Sequence, residues 1–403
     1  MKCSAYVLML ALVGACPGEG PVAVTTEGSG SSSSTSSGTT SEAPTTGTTR
    51  QPTTEPPGGS TTVVFDPNDC GHAVVYKPNV MLVLDKSGSM VADPGGFWDH
   101  DQDPGTATVS RWSSLHAAVA GLVDKFDAGM NLGLVLFPAK TAASSYDEMA
   151  CIVGGAPGVP LAGMNAANML AALPEALTDG AMMKGGTPAT KGLKVAIEAL
   201  ASVPAEQPRF MLLVTDGAAN CQENAPDLEA LFEVYDDEVT STVAAAAAMG
   251  IKTFVVGVDI ANEVSSDLKD GLPDSVNVHE KLNELAVAGG VARAGDEKFF
   301  NPTNEGELQA ALELISGQIL SCTFTLYPTP IFLGYVEVNG FKEGTQAGSS
   351  DLTDCMTQDG WDFLPPIDPQ DSDEPLRIEL CGAACSDYRM SGEIDIQYTC
   401  PAD

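Results

Sequence analysis

Basic side chains are scarce: 19 Lys and Arg stand against 54 Asp and Glu, a formal net charge of −35. Nucleic-acid binding depends on Lys and Arg releasing counterions from phosphates, so nucleic acid is excluded as a partner. Adhesion to anionic lipid through surface charge is excluded for the same reason, and simple solubility accounts for the acidity. Histidine is scarcer still, with only His72, His100, His116 and His279. His279-Glu280 has no second His four residues on, so the zinc-protease pair H-E-x-x-H is missing. There is no G-x-S-x-G elbow and no P-loop, hence no legible nucleophile or phosphate cradle. The carboxylates are too numerous to single out two for acid–base work. The expectation is that the protein is not an enzyme. No C-x-x-C spacing occurs, which disfavours a zinc site. The apolar stretch 5–13 falls well short of the ~20 residues a membrane-spanning helix needs.

That stretch follows Lys2 and suits the apolar region of a signal peptide. Val13-Gly14-Ala15-Cys16 resembles the lipobox of bacterial lipoproteins. The resemblance implies that Cys16 becomes the lipidated N-terminus, its thiol forming the thioether; an ordinary secretory signal cut nearby is the alternative. Pro17 stands where similar lipoproteins retained at the inner membrane carry Asp. The resemblance therefore points to the bacterial cell envelope, at the outer membrane, with membrane contact through the lipid anchor only. Residues 17–62 are Ser, Thr, Gly and Pro without apolar periodicity. Such a segment cannot bury enough surface to offset its ordering entropy, and it reads as a disordered tether. At about 45 residues its span is on the order of 35–40 Å.

The most informative stretch follows. The apolar run Val80-Met81-Leu82-Val83-Leu84 reads as a buried parallel strand. It leads into Asp85-Lys86-Ser87-Gly88-Ser89-Met90, which sets one carboxylate and two hydroxyls at alternate positions. These are hard oxygen donors, suited to Mg²⁺, Mn²⁺ or Ca²⁺. In open α/β sheets ligands gather at the carboxyl ends of strands. Downstream, Lys184-Gly185-Gly186-Thr187-Pro188 opens a helical pattern, and a second apolar strand at 209–215 runs into Asp216-Gly217. This order of strand-DxSxS, GGT-helix and strand-TDG resembles the von Willebrand factor type A (vWA) family with its metal-ion-dependent adhesion site. The resemblance covers residues 79–320. It assigns Asp85, Ser87 and Ser89 to a first metal loop, Thr187 to a second and Asp216 to a third. It implies a bound divalent cation, Mg²⁺ or else Mn²⁺ or Ca²⁺, that captures an Asp or Glu carboxylate of a protein or peptide partner.

Independently of that likeness, strands alternate with helices. Trp112, Leu115, Val119, Leu122 and Phe126 mark one helical face, and Leu308, Leu312, Ile315 and Ile319 mark another. Strands are expected at 130–137, 210–215, 252–258 and 298–300, and a helix at 279–287. The fold class is α/β: a Rossmann-like, mostly parallel sheet with helices on both faces. Two insertions, 91–110 and 144–180, are expected to lie beside the metal loops. Asp99, Asp101 and Asp103 hint at a calcium loop, but Pro104 and Ser110 stand where an EF-hand needs Gly and Glu, so the segment reads as a solvated acidic loop.

Leaving aside Cys3 and Cys16, eight cysteines remain, an even number in an oxidising compartment. Cys151 and Cys221 are expected to pair, because Cys221 lies just beyond Asp216 and Cys151 follows a predicted strand. That bridge would pin the third metal loop. The other six are expected to staple residues 321–403, a small Cys-rich β module with strands at 323–327, 335–338, 376–380 and 393–398 and a hairpin turn at Asn339-Gly340. Residues 63–78, with Cys70, are expected to pair with it as an edge strand. Two functions follow: a surface-tethered adhesion module acting through its metal, or a metal-independent structural or assembly component of the cell envelope.

Overall fold

Seven consecutive residues, Asn79–Asp85, form a strand in which every side chain is buried. A run of that kind sits inside a sheet covered on both faces. The computed structural model describes residues 61–64, 75–92, 95–142, 146–178, 183–327, 336–338, 341–342, 359–364 and 376–397. These all belong to one compact unit, 57–403. The signal stretch, Cys16 and nearly all of the proposed tether lie outside them.

Along the chain the strands are β1 (Thr61–Val64), β2 (Asn79–Asp85), β3 (Phe97–Trp98), β4 (Val109–Ser110), β5 (Asn131–Phe137), β6 (Val159–Gly163), β7 (Arg209–Thr215) and β8 (Ile251–Gly257). After them come β9 (Thr323–Tyr327), β10 (Glu337–Val338), β11 (Phe341–Lys342), β12 (Gly360–Leu364), β13 (Arg377–Cys381) and β14 (Ile396–Gln397). The helices are α1 (Arg111–Phe126), α2 (Ala166–Ala172), α3 (Ala189–Ala201), α4 (Leu228–Glu233), α5 (Glu238–Ala248), α6 (Val278–Ala288), α7 (Glu305–Ile319) and α8 (Gly382–Ser391). None of the described helices is long and apolar enough to cross a membrane.

The main sheet has the order β6-β5-β2-β7-β8, parallel throughout except for antiparallel β6 at one edge. Alternation sorts the side chains between two layers. Val80, Leu82 and Leu84 join Trp112, Leu115, Leu312 and Ile315 of α1 and α7. Met81 and Val83 join Leu193, Val243 and Leu285 of α3, α5 and α6. A one-residue shift would exchange the two layers, so the period of two fixes the register. The α/β class read from the sequence is the fold.

Several local expectations are corrected. Residues 298–300 are not a strand; Phe300 makes a single bridge to Val256. Within the insertion 144–180, β6 takes the sheet edge and α2 packs against α1, while Ala150 and Cys151 contact the loops after Lys184 and Asp216, and the Glu175 carbonyl accepts from the Trp112 indole N–H at 3.2 Å. The C-terminal region is not all β: α8 occupies Gly382–Ser391, and the strand expected at 393–398 is only Ile396–Gln397 among the described residues. Few apolar residues mark α8, and Tyr388 alone is buried along it, so no helical face shows in the sequence there. β1 lies parallel to β9 at the edge of the sheet β1-β9-β13-β12, and it takes in Thr61 and Thr62, which composition had assigned to the tether. β10 and β11 pair Val338 with Phe341; the expected turn between them lies outside the described residues. The C-terminal strands do not form a separate core. Phe324, Trp361 and Tyr388 belong to the same apolar cluster as Leu82 and Trp112. Cys322 and Cys385 are disulfide-bonded, joining the start of β9 to α8.

Candidate metal centre

The polar loops leave the carboxyl ends of β2 and β7, adjacent parallel strands, so Asp85 and the 215–217 turn emerge side by side. Asp85 is fully buried. Its Oδ1 accepts from the Ser87 backbone N–H at 2.7 Å, and its Oδ2 accepts from the Thr215 hydroxyl at 2.6 Å. Ser87 Oγ lies 2.9 Å from Ser89 Oγ, and Ser89 Oγ donates to Asp216 Oδ1 at 2.7 Å. Four of the five sequence-assigned residues thus form one chain of contacts, Asp85 joining it through the Ser87 backbone N–H. Thr187 is brought in through the backbone. Its N–H donates to Asn220 Oδ1 at 2.7 Å and its carbonyl accepts from the Asn220 N–H at 3.1 Å, clasping the second loop to the third. Gly88 N–H donates to the Gly185 carbonyl at 3.2 Å, clasping the first to the second. No hydrogen bond joins the Thr187 hydroxyl to the other four side chains among the described residues.

Two glycines make this closeness possible. A Cβ on Gly185 would fall 2.4 Å from Pro138 Cγ, and one on Gly186 would fall 2.7 Å from Asn220 Oδ1 and 2.8 Å from Cys221 Sγ. Only glycine fits where neighbouring side chains press this closely on the loop backbone. Cys151 and Cys221 form a disulfide across 70 residues of chain, and Cys221 holds a left-handed φ of 68°. The Ala150 carbonyl beside it accepts from Gly186 N–H at 3.2 Å. The bridge therefore ties the second and third loops to one another.

The electrostatics are unfavourable for two carboxylates alone. Burial, and secondly the neighbouring Asp216 charge, pushes the Asp85 carboxyl from its ordinary 3.8 up to about 7. Asp216 is raised as well by burial, against the opposing pull of Arg111. Arg111 was not among the sequence-assigned residues. Its guanidinium donates to Asp216 Oδ2 at 3.3 Å, to the Gly95 carbonyl at 3.1 Å and to Asp259 Oδ2 at 2.7 Å. One signal could have found it: a cation at the first position of a helix opposes the macrodipole, so a local rule is broken there. The insertion 91–110 is fastened over this corner. Trp98 is buried, its indole N–H donating to Ser114 Oγ at 3.1 Å, and Ser114 donates to Glu305 Oε2 at 2.9 Å.

The model of the von Willebrand factor type A domain matches residues 79–314. The chain belongs to the vWA family. No curated protein matches it. Among solved structures, the vWA chain is similar to the conserved hypothetical protein BatB of Bacteroides thetaiotaomicron, at 19% identity, covering 59% of this chain and 97% of that one, with a TM-score of 0.37. It is similar to the pilus adhesin SpaC of Lactobacillus rhamnosus GG at 14% identity, covering 83% of this chain and 41% of that one, with a TM-score of 0.41 in the open conformation. The PilB minor pilin of Streptococcus sanguinis gives 18% identity, 60% of each chain and a TM-score of 0.36. At such scores these likenesses carry no argument of their own. The donor chemistry of this vWA site can be tested directly. Among the described residues no three His, Cys, Asp or Glu side chains cluster; the donors gathered here are hydroxyls and two carboxylates, all hard oxygens. Two buried carboxylates ringed by hydroxyls fit a hard divalent cation.

Proposed function

We propose that this is a surface-tethered binding protein whose vWA domain holds Mg²⁺, or Mn²⁺ or Ca²⁺, and captures an Asp or Glu carboxylate of a protein or peptide partner. The observation that carries this reading is the convergence of Asp85, Ser87, Ser89 and Asp216 at the carboxyl ends of two adjacent strands. Two buried carboxylates bring negative charge that Arg111 only half offsets, and a divalent cation would relieve it. The hydroxyls of Ser87, Ser89 and Thr187 and the carboxylates of Asp85 and Asp216 would hold the ion. A bound Mg²⁺ supplies an electrophilic position for a partner's carboxylate oxygen. Because the hydroxyls are neutral, the donor set cancels no more than the ion's own charge.

Placement supports display. The metal loops lie at the carboxyl ends of the strands, whereas β1, the first described segment after the Ser/Thr-rich stretch, pairs with β9 beyond the end of α7. That end of the molecule holds Gly317, Leu320 and Ala128, whose carbonyls accept from Arg389 and Lys77. A chain entering there would hold the site away from the membrane. The anchor would be Cys16, at the outer membrane of a bacterial envelope. The role proposed is non-catalytic; His279 contacts Glu297 and Asn283 and packs against Phe299.

One observation favours the second reading, a metal-independent envelope component. Arg111 gives Asp216 a partner without any ion. Capture of envelope proteins on immobilised protein, with Mg²⁺ and with EDTA, separates the two. Partners retained in Mg²⁺ and released by EDTA support metal capture; retention in EDTA supports the structural role.

A further inference from the structure

We infer that Arg111 sets the affinity of this centre for its cation, competing for the Asp216 carboxylate while Asp259 offers the guanidinium an alternative seat. The inference rests on the metal reading and deepens it. Both oxygens of Asp216 are engaged: Oδ1 by the Ser89 hydroxyl and Oδ2 by Arg111. A cation that draws on Asp216 must therefore share it with a guanidinium already in place.

Four features mark this arrangement as more than a surface ion pair. Arg111 opens α1, where the helix's own field repels a cation, so the helix gives it no reason to be there. The Arg111 side chain is only 14% exposed and the Asp216 side chain 0%, which places their attraction where solvent screens little. The guanidinium lies 3.3 Å from Asp216 but 2.7 Å from Asp259, so its closer hold is on the outer carboxylate. Asp259 holds a left-handed φ of 55°, uncommon for a residue with a side chain. Its N–H donates to the Pro302 carbonyl at 2.9 Å, and the next N–H, of Ile260, donates to Asn301 Oδ1 at 2.9 Å. The loop after β8 thus fixes the carboxylate at the point where Arg111 can lean on it.

Charge counting agrees. With all groups ionised, Asp85, Asp216 and Asp259 against Arg111 leave a net charge equal and opposite to one divalent ion. Removing Arg111 should make the centre more attractive to cations. Removing the charge of Asp259 should make it less so, both by losing negative charge and by leaving Arg111 with Asp216 alone.

The test is Mg²⁺ titration of the chelator-stripped, folded protein by calorimetry, for wild type, Arg111→Met, Arg111→Lys and Asp259→Asn. Arg111→Met should tighten Mg²⁺ binding about tenfold or more, Arg111→Lys should stay within about threefold of wild type, and Asp259→Asn should weaken binding about threefold or more. Unchanged affinity in Arg111→Met, or equal shifts for Met and Lys, overturns the inference, since the effect would then be absent or one of shape. Should Arg111→Met fail to fold, the other two variants decide: tight or unchanged binding in Asp259→Asn also overturns it. If wild type itself takes up no Mg²⁺, the metal reading fails and this inference falls with it. If wild type binds but the variants match it, only this inference falls.

Discussion

The carboxyl ends of β2 and β7 carry buried carboxylates, hydroxyls and a cation at a helix N-terminus. The other end of the same helical layer obeys every ordinary rule. There Arg389 donates to the carbonyls of Gly317 and Leu320 at the end of α7, and Lys77 donates to those of Ala128, just past α1, and Ser391, closing α8. Cations at helix C-termini satisfy orphan carbonyls and suit the macrodipole. Gly392 ends α8 in the left-handed conformation, φ 64°, as a helix C-terminus prefers. One end is built for stability and the other departs from it, and departures of that kind mark functional sites.

The Cys151–Cys221 and Cys322–Cys385 disulfides give the largest handle on this contrast. Each closes a loop of similar length, 70 and 63 residues, so each removal should cost about 4 kcal/mol in the chain-entropy account. Only the double replacement of Cys151 and Cys221 by Ser should also weaken Mg²⁺ binding, because only that bridge ties metal loops together. Replacing Cys322 and Cys385 should lower the denaturation midpoint and leave Mg²⁺ affinity alone. Equal effects on metal binding would break the comparison.

A pH series comes next, worth a few kcal/mol. Asp85 keeps its proton in the folded chain up to about pH 7, whereas an unfolded chain releases it near 3.8. Across that window the folded state binds more protons, so the Asp85 contribution makes stability fall as pH rises. Thermal unfolding of the chelated protein should show this decline beyond that of Asp85→Asn, and saturating Mg²⁺ should flatten it. A slope identical in wild type and Asp85→Asn would remove the electrostatic argument.

Glycine substitutions give the smallest effect. Gly186→Ala forces a Cβ against Asn220 and Cys221 and should cost about 1–3 kcal/mol with a loss of Mg²⁺ affinity. Gly392→Ala at the base, with φ 64° and its Cβ position 2.6 Å from Gly129 Cα, should destabilise comparably without touching Mg²⁺ binding.

The sheet was legible because its strands are long apolar runs and α1 and α7 keep a strict apolar face. Of the three loops assigned to the candidate site, the first and third were legible because short polar signatures follow β2 and β7 directly, and the second because Gly185-Gly186-Thr187 opens α3. Arg111 and Asp259 were not, since they are 148 residues apart and meet only through the fold. The helix α8 was missed because its apolar residues are few and Tyr388 alone is buried along it. β6 was missed because Val159–Gly163 is half exposed and contains Pro and Gly, poor strand formers that an edge position tolerates.

The central claim is that oxygens from three loops share one divalent cation, and calorimetric titration of stripped protein with Mg²⁺ tests it most directly. The account predicts saturable binding of one ion per chain that Asp85→Ala abolishes while the far-UV spectrum stays native. Absence of binding in the wild type, or equal binding in a folded Asp85→Ala variant, would contradict it.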